Sequence, residues 1–236
     1  MILSARLDAL VSLVETGVLP LFFSDDADRA RRITDALRQG GARAIEFTDR
    51  GPGAGSVFST LAAAAARHDP EAILGVGSIR DPFAADRFIA AGARFIVGPS
   101  FNAEVARLCN RRRIPYIPGC ATPTEIVTAE ESGSELVKVF PGDSLGPAFV
   151  KAIRGPLPDT QVVVTGGVSA SEASVNEWIG AGAACLGFGS ALVTRAHTEH
   201  GSDTDPSDLT PAVAALIDLV AAARAANRVP SKESRP

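Results

Sequence analysis

Short apolar runs alternate along the chain with longer amphipathic, alanine-rich stretches, and the alternation repeats eight times. Runs at 18–23 (VLPLFF), 42–48 (ARAIEFT), 72–78 (AILGVGS), 94–100 (RFIVGPS), 114–119 (IPYIPG), 136–142 (LVKVFPG), 161–167 (QVVVTGG) and 184–190 (ACLGFGS) have the length and composition of strands. The stretches between them have helical periodicity. Residues 25–41 (DDADRARRITDALRQGG) start with acidic side chains, which suit the positive end of a helix dipole, and stop at Gly40 and Gly41. Residues 56–70 and 81–93 follow the same plan, the second with Asp81 as N-cap and Pro82 in the first turn. Strands separated by helices pair in parallel, and eight such units predict an α/β fold of the (β/α)8 TIM-barrel type. An open doubly wound sheet shares the alternation but concentrates its site at one switch point, whereas here polar residues collect at the C-terminal ends of many strands. An extra N-terminal helix at 3–15 is predicted to cover the barrel's N-terminal mouth, and a last helix at 208–227 follows a polar loop. The expected organisation is one domain over residues 1–227 and a disordered tail at 228–236.

Composition narrows the function classes. With 46% hydrophobic residues over 236 positions, the chain can bury a sizeable core. A formal charge of -4 leaves no footprint for nucleic acid, and the densest basic run, Arg111 to Arg113, reads as the solvated end of a helix. Cys109, Cys120 and Cys185 are odd in number and lack CxxC spacing, which predicts free thiols in a reducing cytoplasm. Residues 1–17 carry Arg6, Asp8 and Glu15 and no unbroken apolar stretch, so no signal peptide is expected. No segment is expected to reach the length needed to span a bilayer, and no membrane partner is expected.

One residue departs from this background. Three lysines (Lys138, Lys151 and Lys232) accompany twenty arginines, and Lys138 lies inside an apolar strand. Side chains of a barrel strand alternate between the interior and the surrounding helices. Val137 and Val139 suit the helix side, which turns Leu136, Lys138 and Phe140 inward. A desolvated lysine has a lowered pKa, and its neutral amine can attack a ketone to form a Schiff base. The bland alternatives are an ion pair or a side chain that snorkels to solvent. The same parity places Glu46 and Thr48 inside, with Arg50 just beyond their strand. Glu46 then serves either as an ion-pair partner or as a general acid and base, and Arg50 offers a planar fork for a carboxylate. Ser78 closes the third strand in the same region. The TGG and GFGS ends of the last two strands leave backbone N–H groups for an anion, a weak signal because glycine also terminates strands.

These stretches, AIEFTDR, GVGS, IPGCATPTE, KVFPG, VTGGV and GFGSAL, resemble in order and separation the 2-keto-3-deoxy-6-phosphogluconate (KDPG) and 4-hydroxy-2-oxoglutarate (KHG) aldolase family. The resemblance covers roughly residues 10–195, and the pairing of E-x-T-x-R with K-x-F-P is its specific part. It implies that Lys138 forms the Schiff base, that Glu46 transfers protons, and that Arg50 and Ser78 hold the pyruvyl carboxylate. Thr165, Gly166, Gly167, Gly189 and Ser190 would carry the distal group or phosphate, with Pro99 and Phe140 as further substrate contacts. Implied with these are a small-molecule keto acid substrate cleaved to pyruvate and an aldehyde, no cofactor, no metal and a homotrimer. His68, His197 and His200 form no credible ligand set.

The sequence departs from the family pattern in three places. Asp25 and Asp26 follow the first strand where relatives carry a basic residue, which is expected to make that rim unfriendly to phosphate. The loop GPGAGSVF after Arg50 is unusually rich in glycine, and the third strand closes on Ser rather than Thr. Two other readings stay open at this level: a phosphate-binding isomerase or epimerase barrel with Glu46 as base, and a non-catalytic barrel that binds a keto acid.

Overall fold

The computed structural model describes residues 4–189, 192 and 206–227. Nine short strands form one sheet: β1 (Val18–Phe22), β2 (Ala44–Thr48), β3 (Ile73–Gly77), β4 (Ile96–Val97), β5 (Tyr116–Ile117), β6 (Gly119–Cys120), β7 (Val137–Val139), β8 (Val162–Thr165) and β9 (Cys185–Phe188). Their spatial order is β5-β4-β3-β2-β1-β9-β8-β7-β6, and the neighbouring strands pair in parallel. The strand predicted at 114–119 is therefore two pieces. Pro118 lies between them and has no N–H to donate to a ladder. β5 pairs with β4 and β6 with β7. The Pro118 carbonyl accepts from the Lys138 N–H at 2.8 Å, while the Gly119 N–H donates to the Gly98 carbonyl at 3.0 Å. The break thus joins the two ends of the sheet and closes the eight-unit barrel. β4 and β7 are also shorter than predicted, because Pro99 and Pro141 cannot extend a ladder.

Helices α1 (Ala5–Thr16), α2 (Ala27–Gln39), α3 (Ala54–His68), α4 (Pro82–Ala90), α5 (Ala103–Arg112), α6 (Pro123–Glu131), α7 (Gly142–Ile153), α8 (Glu172–Ala181) and α9 (Leu209–Asn227) surround or close the barrel. Their ends follow the chemistry of the sequence. Asp81 caps α4 by accepting from the N–H groups of Phe83 and Ala84, and Asp26 caps α2 by accepting from Arg29 N–H at 2.7 Å. Arg111 and Arg112 occupy the exposed last turn of α5, as expected of a solvated helix end.

Two apolar clusters result from strand parity. Residues on the outer face, such as Val76, Val139, Val164 and Phe188, pack under the helices. The inner cluster includes Leu19, Ile73, Phe95, Ile117, Leu136 and Val163, together with Ala9, Leu10 and Leu13 of α1. Helix α1 therefore plugs the N-terminal mouth, and burying a side chain such as Leu13 contributes roughly 1.5–3 kcal/mol. Charges at its rim tie it down: Arg6 pairs with Glu135 at 2.7 Å, and Asp8 accepts from Arg94 at 2.9 Å and Arg43 at 3.3 Å. Arg224 of α9 donates to the carbonyls of Val14, Glu15 and Ala184, locking the last helix to the end of the first.

α9 corrects one expectation. By length and hydropathy it is sufficient to cross a membrane, because its many alanines raise the mean. Its buried residues Leu209, Val213, Leu216, Val220 and Ala223 form one stripe, and the helix lies against α2 and α8. The tail at 228–236 lies outside the described residues.

Candidate active site

At the C-terminal end of the barrel, the interior changes from apolar to polar. β2 carries Glu46 and Thr48 inward, β7 carries Lys138, and β8 carries Thr165, each residue being almost fully buried. They line a cavity of about 280 Å³ together with Arg50, Ser78, Pro99, Phe140, Gly166, Gly167 and Gly189. Ser190 lies outside the described residues, as do His197 and His200. All the other candidate residues read from the sequence meet in this one space. The cavity also includes Leu21, Val168 and Gly187, which sequence reasoning had not placed there. Leu21 follows from parity, since it lies two residues beyond the inward Leu19. Val168 had no comparable signal, because its position depends on how the chain turns after β8.

The geometry requires particular backbone at two points. Gly77 lies opposite Thr48 across the β2–β3 ladder, and a Cβ there would overlap the Glu46 carboxyl. Its missing side chain is the space that Glu46 occupies. Ser78 has φ 67°, a left-handed conformation that costs a non-glycine residue about 1–3 kcal/mol. Hydrogen bonds on either side hold it: Asp49 N–H to the Gly77 carbonyl at 2.9 Å, and Ile79 N–H to the Val97 carbonyl at 3.1 Å. That turn swings Ser78 onto the cavity wall.

Burial dominates the electrostatics. Glu46 is 2% and Lys138 8% exposed. Desolvation pushes the Glu46 carboxyl above its ordinary pKa, against the opposing pull of Lys138 and Arg50. Desolvation likewise pushes the Lys138 ammonium below its ordinary value, opposed by Glu46 and assisted by Arg50. Both shifts are in the direction of the neutral forms. Among the described residues, no ion pair within 4.0 Å joins them, so they do not form the tight pair that the bland reading predicted. Glu46 Oε2 and Thr165 Oγ1 are buried without hydrogen-bond partners. Two buried oxygens without partners, both on residues that line this cavity, are costly to keep unless water or a ligand satisfies them. Lys138 Nζ lies 4.4 Å from the centroid of the Phe140 ring.

A model of the KDPG and KHG aldolases matches residues 11–205. The chain belongs to this family, and it is an aldolase. It is 37% identical over 123 residues to a 2-dehydro-3-deoxy-6-phosphogalactonate aldolase of Escherichia coli, a match spanning 52% of this chain and 59% of that relative. It is 34% identical over 167 residues to a 2-dehydro-3-deoxy-phosphogluconate aldolase of Pseudomonas aeruginosa, spanning 70% and 73% of the two chains. Among solved structures, the KDPG aldolase of Legionella pneumophila, in which pyruvate was captured as a covalent carbinolamine, superposes with a TM-score of 0.77 at 26% identity. That superposition covers 91% of this chain and 98% of the other.

The acidic pair that departs from the family pattern falls outside the cavity. Neither Asp25 nor Asp26 lines the cavity, and the Asp26 carboxylate is engaged as the α2 cap. The residue of β1 that faces the site is Leu21, so the rim after β1 is shaped there by an apolar side chain. Arg50 is exposed at the cavity edge and makes no ion pair within 4.0 Å among the described residues, which leaves its guanidinium open to an anion. Among the described residues, no three His, Cys, Asp or Glu side chains are grouped so as to hold a metal ion.

Proposed function

We propose that the chain is a class I aldolase that cleaves a 2-keto-4-hydroxy acid, either 2-keto-3-deoxy-6-phosphogluconate or 4-hydroxy-2-oxoglutarate, into pyruvate and an aldehyde through a Schiff base on Lys138. The observation that carries this reading is the buried Lys138 amine, with no carboxylate within 4.0 Å among the described residues, in the same cavity as the buried Glu46 carboxyl, whose Oε2 has no hydrogen-bond partner. The neutral amine attacks the keto carbon. The protonated Glu46 gives its proton, directly or through one water, to the departing hydroxyl, leaving an iminium and a Glu46 carboxylate. That carboxylate takes the proton of the C4 hydroxyl. The C3–C4 bond then breaks, its electrons pass to the iminium nitrogen, and an aldehyde leaves behind an enamine. Glu46 returns the proton to C3, and water hydrolyses the new iminium to pyruvate and the free amine, the proton released passing back to the Glu46 carboxylate.

Arg50 and Ser78 take the keto acid's carboxylate at the β2–β3 side, with Pro99 and Phe140 against the pyruvyl carbons. The distal group lies toward Thr165, Gly166, Gly167 and Gly189, where backbone N–H groups and the Thr165 hydroxyl would meet it, and the family resemblance adds Ser190 to this set. We propose further that residues 1–227 act as one catalytic unit, and that the chain works as a cytoplasmic homotrimer. The free thiols of Cys109, Cys120 and Cys185 favour a reducing compartment. Phe83, 85% exposed at the start of α4, is a candidate subunit contact. Incubation with pyruvate and borohydride should leave a pyruvyl adduct on Lys138 in the peptide mass spectrum. A folded protein that remains unmodified would sink the Schiff-base reading in favour of isomerisation or simple binding.

A further inference from the structure

We infer that the face of the Phe140 ring is a catalytic group that stabilises the iminium form of Lys138, and not merely a wall of the pyruvyl pocket. The inference rests on the Schiff-base reading given above. Phe140 follows Lys138 by two residues on the same face, and its N–H is bonded to the Cys120 carbonyl at 3.2 Å. The ring lies half-buried with its centroid 4.4 Å from Nζ, within the range of a cation–π contact. The other charged groups acting on Nζ are Glu46 from β2, which is not within ion-pair distance, and Arg50 beyond it. Arg50 opposes a positive charge at this nitrogen. Glu46 supports one only while ionised, and it changes protonation during turnover. The negative face of the ring is the permanent feature, because a quadrupole cannot be protonated.

Catalysis gains from interactions that strengthen as the reaction proceeds. A neutral amine draws little from the ring, whereas the iminium formed at the same buried atom is cationic. The expected share is about tenfold in iminium formation.

Two variants test this: Phe140→Leu, and pentafluorophenylalanine at position 140, which keeps the shape and reverses the quadrupole. The readout is the rate of borohydride trapping of pyruvate on Lys138 as a function of pH. Both variants should trap about tenfold more slowly at saturating pyruvate. The pH midpoint of the acid limb should also move down, since the ring no longer favours the charged amine. A purely structural role predicts otherwise: water admitted by Phe140→Leu would move the midpoint up, and the fluorinated ring would behave as wild type. A fluorinated variant with wild-type rate and midpoint overturns the inference and leaves the Schiff base standing. Wild-type protein that forms no adduct on Lys138 overturns both.

Discussion

The two mouths of the barrel treat charge in opposite ways. At the N-terminal mouth, Arg6, Asp8, Arg43, Arg94 and Glu135 are joined in ion pairs at 2.7 to 3.3 Å, and all keep some contact with solvent. At the C-terminal mouth, Glu46 and Lys138 are more deeply buried, yet neither is within 4.0 Å of an opposite charge among the described residues. Between them lies the apolar cluster of Leu19, Ile73, Phe95 and Leu136. One end spends its charges on holding α1 in place. The other keeps them unsatisfied in a cavity, which costs stability and leaves them available to a substrate. The aldolase of this family is thus built from a plugged, paired end and an open, unpaired one.

The sharpest way to break this contrast is Lys138→Met. Removing the amine should reduce aldol cleavage by roughly 10⁴-fold or more. Because the amine has no carboxylate within 4.0 Å among the described residues, the same substitution should leave the urea midpoint unchanged or raise it, by about 1 kcal/mol in stability. A large loss of stability would mean that Lys138 is a structural partner after all. Glu46→Gln should lower kcat by about 10²- to 10³-fold. Its pH profile carries more information. In the proposed mechanism Lys138 attacks only when neutral, so wild-type activity should rise with pH through its lowered pKa. Glu46 donates only when protonated, so activity should fall through its raised pKa. Glu46→Gln should remove the alkaline limb. An unchanged alkaline limb in kcat/KM against pH would assign that proton to another group.

A third substitution concerns the rim of the open end. Arg50→Lys keeps the charge but loses the planar fork, and should raise KM for the keto acid about 10- to 100-fold with a smaller effect on kcat. Equal losses in both constants would show that Arg50 acts mainly in the transition state. The smallest effect belongs to the plugged end. Asp8→Ala removes two part-exposed ion pairs and should cost about 0.5–1 kcal/mol in urea unfolding, with turnover of the folded enzyme unaltered. A fall in kcat would show that the two mouths are coupled through the barrel.

Much of the site was legible in the sequence because strand periodicity is rigid. Once 136–142 is read as a strand with valines turned outward, Lys138 must face the interior, and the same argument places Glu46 and Thr48. The barrel was legible for a similar reason, through eight alternations without a second compositional zone. Caps such as Asp81 at α4 were equally local. The amphipathic start of the chain also carried its own signal, since Leu10 and Leu13 recur at helical spacing and bury against the barrel floor.

The sequence by itself determined which residues turn inward, where most helices begin and end, and which side chains are candidates for chemistry, because these depend on neighbours a few positions apart. Only the tertiary structure decided the rest. It showed that Pro118 splits one strand to close the ring, that Asp26 caps a helix instead of facing substrate, and that Gly77 leaves room for the Glu46 carboxyl. It also showed that Lys138 and Glu46 share a cavity without touching, and that Lys138 faces the Phe140 ring. Those outcomes depend on distances between strands remote in sequence. Electrostatics and packing act through space, so a pattern along the chain names the participants but leaves the separations between them to the fold.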